Sequence, residues 1–202
     1  MHYKLVFDTR PMTDHSTFSR WKINTTGESS TIEASYSRKG FCMGITLIWI
    51  KKSVFSSRLL TSSSDLGSVH LIGIRSSQFN SYAMQEMNYW ERWRYTFSIY
   101  GLSIGETRVT FFRSNNVNLK MEVQRMLKKK GCFLLILSKD GIDDHHCFGL
   151  RADDHAFEFL DANYGLFRFR NGLELLSFFL VYMKNYDKYI PGSIRIIETI
   201  KE

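Results

Sequence analysis

Residues 145–165 read HHCFGLRADDHAFEFLDANYG, and the fold is decided by how this stretch doubles back. Two runs, 145–152 and 156–162, alternate with a period of two about Asp153–Asp154, residues that favour turns. They read as an antiparallel hairpin. A tight turn centred on 153–154 sets His146 opposite Asp161, Phe148 opposite Phe159 and Leu150 opposite Phe157. One face of the hairpin is then an apolar floor ending in a His–Asp pair, while His145 points to the other face. A carboxylate beside an imidazole selects its tautomer and stabilises its charged form. The same pair also occurs as an ordinary cross-strand contact at a sheet edge.

Beyond the hairpin, Asn163–Tyr164–Gly165 reads as a second turn into a strand over 166–170. Upstream, CFLLIL at 132–137 is a buried strand, with turn chemistry following at 139–141. Residues 117–130 form an amphipathic helix, with Leu119, Val123, Met126 and Leu127 inward and Gly131 expected as its C-cap. Downstream, 173–186 reads as another amphipathic helix and 193–200 as a last strand. Residues 3–7 are strand-like, and 13–37 are rich in Ser, Thr and Asn, a loop-like lead-in. The stretch 60–115 is aromatic-rich and broken by Gly67, Gly73, Gly101 and Gly105. A helix over 78–93 and a strand over 108–113 are expected there, with Tyr89, Trp90, Trp93, Tyr95 and Phe97 read as core rather than groove lining. Helices preceding an antiparallel meander make the class α+β. The expected organisation is a lead-in over 1–35, part-ordered or related to secretion, and one domain over 36–202.

Composition narrows the function classes. A chain of 202 residues, 44% hydrophobic and 23% charged, buries enough surface to need neither disulfides nor metal for a core. The net charge of +7 is spread over Arg38–Lys39, Lys51–Lys52, Arg92/Arg94, 128–130 and Arg168/Arg170. That scatter reads as a solvated face with no nucleic-acid signature, so no nucleic-acid partner is expected. A surface of this sign suits an acidic membrane. Cys42, Cys132 and Cys147 are an odd set without framework spacing, which points to a reducing compartment. The start, MHYKLVFDTR, lacks the apolar run of a signal peptide. The apolar windows at 41–50 and 175–183 are too short to span a bilayer. A soluble protein is expected, exported, if at all, without a cleaved signal peptide.

From Phe41 the pattern turns helical, with Cys42, Ile45, Ile48 and Trp49 on one face and Lys51–Lys52 towards the C-terminal end. Cys42 stands in the first turn, where unpaired backbone N–H groups favour a thiolate, and a neighbouring imidazolium favours it further. Buried structural cysteines occupy such positions too.

Three motifs, in order, carry a resemblance: GFCMG at 40–44 followed by Trp49-Ile50, HCFGL at 146–150, and FLDANYG at 159–165. Together they resemble the YopT/AvrPphB peptidases. That papain-like family has a Gly-x-Cys-x-Gly/Ala-Leu-Ser-x-x-Trp helix, a His-Ala-Val-Gly-Leu strand and a Phe-Phe-Asp-Pro-Asn-Tyr-Gly strand end. The resemblance implies a papain-like domain, its cysteine helix packed on an antiparallel sheet, and a triad of Cys42, His146 and Asp161 that needs no cofactor. It further implies a secreted bacterial effector or toxin that cleaves a specific protein in the cytoplasm of a target cell, attended by a secretion chaperone or opposed by an immunity protein. This sequence departs from the pattern at Ala162 for proline, Ile45-Thr46 for Leu-Ser, and Cys147 after the histidine. The oxyanion hole would take the Cys42 N–H and a side chain such as Ser37, Ser35 or Asn24, and Asn163 is a candidate beside the substrate.

Other readings compete. Asp144-His145-His146-Cys147 spells the tetrapeptide of membrane palmitoyltransferases, but no cysteine-rich domain or span accompanies it. A metal site drawn from Asp143, Asp144, His145, His146, Cys147 and His155 is disfavoured because neighbours on a strand face opposite ways. The same triad serves glutamine deamidases and transglutaminases, and a basic interaction domain with a structural cysteine is the non-enzymatic reading.

Overall fold

The computed structural model describes residues 3–9, 41–56, 58–67, 89–112, 117–140 and 145–202. Within these residues seven strands form one antiparallel sheet: β1 (Lys4–Phe7), β2 (Leu102–Phe112), β3 (Gly131–Lys139), β4 (His145–Ala152), β5 (Phe157–Asp161), β6 (Gly165–Phe169) and β7 (Gly192–Lys201). Their order across the sheet is β1-β6-β5-β4-β3-β7-β2. Among the described residues four helices cover it: α1 (Phe41–Phe55), α2 (Tyr89–Ile99), α3 (Val117–Lys129) and α4 (Gly172–Tyr182), with 3₁₀ turns at Ser63–Leu66 and Met183–Tyr189. The α+β expectation holds.

The sheet is covered on both faces. β3 shows why CFLLIL is apolar throughout: Cys132, Leu134 and Ile136 face a core with α1 and α2, whereas Phe133, Leu135 and Leu137 face a second core with α3 and α4. β4 divides the same way, sending Cys147 towards α1 and Phe148, Leu150 and Ala152 towards α3 and α4.

The β4–β5 register departs from the expected one by two residues. Asp161 faces Phe148, Leu150 faces Phe159 and Ala152 faces Phe157. The connection is four residues long because the Asp153 carboxylate accepts the N–H groups of His155 (2.8 Å) and Ala156 (2.9 Å), an Asx-type closure. A shift by two keeps every side chain on its face, so His146 and Asp161 stay together as diagonal neighbours. Charges on the opposite face pin the register. Arg151, Glu158 and Arg168 are successive cross-strand partners on β4, β5 and β6. Arg168 Nε donates to Glu158 Oε1 at 2.7 Å, and Arg151 Nε to Asp153 Oδ2 at 2.6 Å.

Other elements also differ from expectation. α1 is not amphipathic: residues 43–50 are all buried, between the sheet and a cap that includes Leu60, Leu66, Trp93 and Phe97. Its close seat on β4 requires Gly149, where a Cβ would lie 2.6 Å from Trp49 Cε3 and 3.3 Å from Thr46 Cγ2. The chain leaves α3 through Lys130 (φ 61°), not through Gly131, which already belongs to β3. The strand expected at 108–113 extends back to Leu102. The helix expected at 78–93 appears as Tyr89–Ile99, residues 78–88 lying outside the described residues. It puts Trp93 and Phe97 in the core and leaves Trp90 and Tyr95 exposed. The helix expected to run to 186 ends at Tyr182, where the 3₁₀ turn takes over. Asn171 caps its start, accepting the Glu174 N–H at 3.0 Å. The expected lead-in over 1–35 has only residues 3–9 within the described set.

Candidate active site

Three elements meet where β4 begins. The first turn of α1 brings Cys42, β4 brings His146, and the end of β5 brings Asp161. All three sequence-derived candidates are therefore neighbours. His146 Nε2 lies 2.9 Å from Asp161 Oδ1, and the His146 ring and the Cys42 sulfur are near enough to shift each other's acidity. With Nε2 committed to Asp161, Nδ1 is the nitrogen that serves Cys42. The thiol is half-buried, the imidazole is buried, and the carboxylate has no exposed surface.

An ionised carboxylate at that depth needs donors on all sides. Asp161 Oδ1 accepts from His146 and from the Asn163 N–H at 2.8 Å. Oδ2 accepts from the Tyr182 hydroxyl at 2.8 Å and from the Tyr186 hydroxyl. The Asp161 carbonyl accepts from the buried Thr9 hydroxyl at 3.2 Å. Tyr186 also stacks on His146, centroids 5.1 Å apart with 15° between the planes, and its hydroxyl is 3.2 Å from Nε2. Phe148 closes the imidazole edge-on at 4.6 Å.

The electrostatics follow from these contacts. Burial works against charge on His146, but the Asp161 carboxylate and Cys42 override it and push its pKa up to about 10. Burial likewise works to raise the Asp161 carboxyl, yet the His146 charge, Tyr186 and the Asn163 N–H hold it below the ordinary range. Burial and the Asp161 charge push both tyrosines far up, so they act only as donors. For Cys42 the largest influence is a hydrogen bond from the Cys147 thiol. Burial opposes it, and His146 adds to it, so the pKa falls well below that of an ordinary thiol. Cys147, donating to Cys42 and buried, is raised well above the usual value. Cys132 is pushed by burial to about 12.

Asn163 reaches the site through its backbone while its residue is exposed. Ser37, Ser35 and Asn24 lie outside the described residues. His145 is exposed and pairs through Nδ1 with Ser138 Oγ at 2.9 Å, away from the thiol. Among the described residues no group of three or more His, Cys, Asp or Glu side chains is arranged to hold a metal ion. Sequence reasoning missed Tyr182, Tyr186 and Thr9. The i, i+4 spacing of the tyrosines was the available signal, and it was absorbed into the reading of 173–186 as an apolar helix face.

No protein-family model matches the sequence, and no curated protein sequence matches it. Similarity appears among solved structures. The Pseudomonas avirulence protein AvrPphB superposes with a TM-score of 0.60 at 13% identity, over 92% of this chain and 99% of that one. The ubiquitin-specific protease encoded by the murine cytomegalovirus tegument protein M48, solved with a ubiquitin-based suicide substrate, gives 0.51 at 10% identity, over 98% and 85%. Both are papain-like cysteine peptidases, and at these identities the likeness concerns the fold. The chain has the α+β papain-like fold that the sequence led us to expect.

Proposed function

We propose that this protein is a cysteine endopeptidase in which Cys42 is the nucleophile, His146 the proton carrier and Asp161 the group that orients His146. The observation that carries the reading is the buried His146–Asp161 pair, 2.9 Å apart, beside the half-buried Cys42 thiol whose acidity His146 raises. A buried carboxylate given four donors and aimed at an imidazole is costly to build for structure alone, and it suits a site where an imidazolium must persist.

The mechanism follows from the atoms present. Cys42 Sγ, already ionised, attacks a substrate carbonyl carbon. The Cys42 N–H lies in the first turn of α1, where helix geometry offers it no intrahelical acceptor, and on this reading it binds the developing oxyanion. His146 passes its proton to the leaving amine, then takes one from the water that cleaves the thioester. Asp161, held by Tyr182, Tyr186 and Asn163, keeps Nδ1 turned to sulfur throughout.

The M48 enzyme, through its ubiquitin-based ligand, supports a protein as the substrate class, and AvrPphB, an avirulence protein, supports the effector role. On this reading the chain is a bacterial effector or toxin acting on one protein in the cytoplasm of a target cell. The test is to incubate wild type and Cys42→Ala with target-cell lysate and label newly formed N-termini. New termini sharing one sequence pattern, absent with Cys42→Ala, are expected. No excess over Cys42→Ala, or glutamines converted to glutamate instead of cleaved bonds, would refute the endopeptidase reading.

A further inference from the structure

The residue beside the proton carrier is itself a thiol. β4 sends His146 to one face and Cys147 to the other, and the first turn of α1 meets both, so the Cys42 sulfur is flanked by an imidazole and by a second sulfur. Cys147 is only 1% exposed, and Cys42 packs against the same core cluster that holds it. Cys147 Sγ also lies 3.9 Å from Sδ of Met43. The arrangement is rigid, because Trp49 and Thr46 of the same helix pack against Gly149, two residues along β4. The two cysteines meet across the seat of α1 on β4, near enough that each shifts the acidity of the other. The third cysteine is remote: Cys132 pairs with Arg151 across the β3–β4 ladder, whereas Cys147 pairs with Ile136, four residues away and about 13 Å along the strand.

We propose that Cys42 and Cys147 form a reversible disulfide that silences the nucleophile under peroxide and restores it on reduction. The silencing rests on the cysteine-peptidase reading; the bond itself does not. A hydroperoxide small enough to reach half-buried Cys42 is the oxidant. The Cys42 thiolate attacks its terminal oxygen, the O–O bond breaks, and an alkoxide or hydroxide leaves and takes a proton, making Cys42 a sulfenic acid. Cys147 then attacks the sulfenic sulfur. The S–O bond breaks, hydroxide leaves with the Cys147 proton as water, and an S–S bond remains. Two thiols and one hydroperoxide become one disulfide, one water and one alcohol, or two waters when the oxidant is hydrogen peroxide. A dithiol reverses the change by exchange. The roles are unequal by construction. Cys42 is accessible and acidified, as an attacking thiol should be, and Cys147 is shielded and protonated, so it meets oxidant only through Cys42. A resolving thiol in contact also intercepts the sulfenic acid before further oxygens add irreversibly.

The test treats the full chain with a several-fold molar excess of hydrogen peroxide near neutral pH, followed by intact mass and non-reducing peptide mapping. Wild type is expected to lose two hydrogens, to yield one linked pair containing Cys42 and Cys147, and to lose Cys42 alkylation until dithiothreitol returns it. Cys132→Ser should behave as wild type. Cys147→Ala should gain two or three oxygens at Cys42 and stay inert after dithiothreitol. Should that variant not fold, the wild-type map decides alone. Wild-type Cys42 carrying two oxygens, a link to Cys132, or a link between chains would overturn the proposal. Mapping needs no substrate. A reversible Cys42–Cys147 bond in a protein that cleaves nothing would therefore remove the peptidase reading and leave this one, and cleavage without the bond would do the reverse.

Discussion

Tyr186→Phe deletes one hydroxyl and keeps the ring that stacks on His146. The hydroxyl donates to Oδ2 of a carboxylate with no exposed surface. A hydrogen bond to a charged group contributes about 1.5–3 kcal/mol. Asp161 keeps Tyr182 and the Asn163 N–H at 2.8 Å and His146 at 2.9 Å, which places the expected loss near 2 kcal/mol. For a domain of this size that lowers the thermal midpoint by about 4–8 °C. The loss carries a pH signature. The donors hold Asp161 below its ordinary pKa, so the stability they contribute is complete above the unfolded value of about 3.9 and is lost as pH falls through the lower folded value. The penalty should therefore be full near pH 7 and smaller at an acid pH low enough for Asp161 to take up its proton in the folded state. Urea unfolding of both proteins at the two pH values, followed by tryptophan fluorescence, measures it. Adding Tyr182→Phe strips Oδ2 of both tyrosine donors, and the double variant should lose about 0.5–3 kcal/mol more than the sum of the singles. A Tyr186→Phe penalty that is the same at both pH values would mean that the hydroxyl contributes packing and not a bond to an ionised carboxylate, refuting the reasoning.

Further expectations concern the thiol and the helix beneath it. Near pH 6 an ordinary thiol is only about 0.3% ionised. A fully formed thiolate, after its lower intrinsic nucleophilicity is allowed for, should still react about tenfold faster. Iodoacetamide should thus label Cys42 ahead of Cys132 and Cys147, and His146→Ala should slow it; equal rates at Cys42 with and without His146 would disprove the ion pair. His146 is raised to about 10 from an unfolded value near 6.5, so its contribution to stability is complete below about pH 6.5 and is lost as pH rises through about 10. That alkaline decline should vanish in His146→Ala, as pH-dependent unfolding would reveal. Cys42→Ala should end cleavage while keeping the thermal midpoint within a few degrees, and Asp161→Asn should retain more turnover than His146→Ala; the reverse ranking would assign Asp161 the proton. Gly149→Ala should cost about 1–3 kcal/mol because its methyl meets the fully buried Trp49 ring, and an unchanged midpoint would show that α1 is not seated tightly on β4.

Much of the sheet was legible because alternation survives errors of even size. The β4–β5 turn was placed two residues short, yet His146 and Asp161 still fell on one face, since a strand repeats every two residues. A one-residue error would have separated them. The Asx closure by Asp153 depends on two N–H groups that propensity alone does not rank. α1 was misread for a different reason. Its window FCMGITLIWI is apolar nearly throughout, so a threes-and-fours pattern can be traced through it in several ways, and only the layer on its far side shows that every face is buried. Tyr182 and Tyr186 were out of reach because their partner lies 21 and 25 residues away across a helix–sheet contact that periodicity does not encode. The cysteine beside the histidine was visible in the letters. Its contact with Cys42 required knowing which face of β4 the helix meets.

The strand order bears on how the chain is made. Among the described residues β2 is an edge strand paired with β7, and β7 also fills the place beside β3. On a ribosome, β2 therefore emerges long before the strand that will pair with it, and roughly 80 residues of later sequence must appear in between. The β3-to-β6 meander can assemble in order as it is synthesised, carrying His146 and Asp161. The sheet closes when the final strand slides into a slot between two older ones. Such long-range insertion is slow and leaves apolar strand edges open meanwhile. Tyr182 and Tyr186 arrive just ahead of that strand, so a nascent chain holds nucleophile, imidazole and carboxylate for some time before it holds the clamp that arms them.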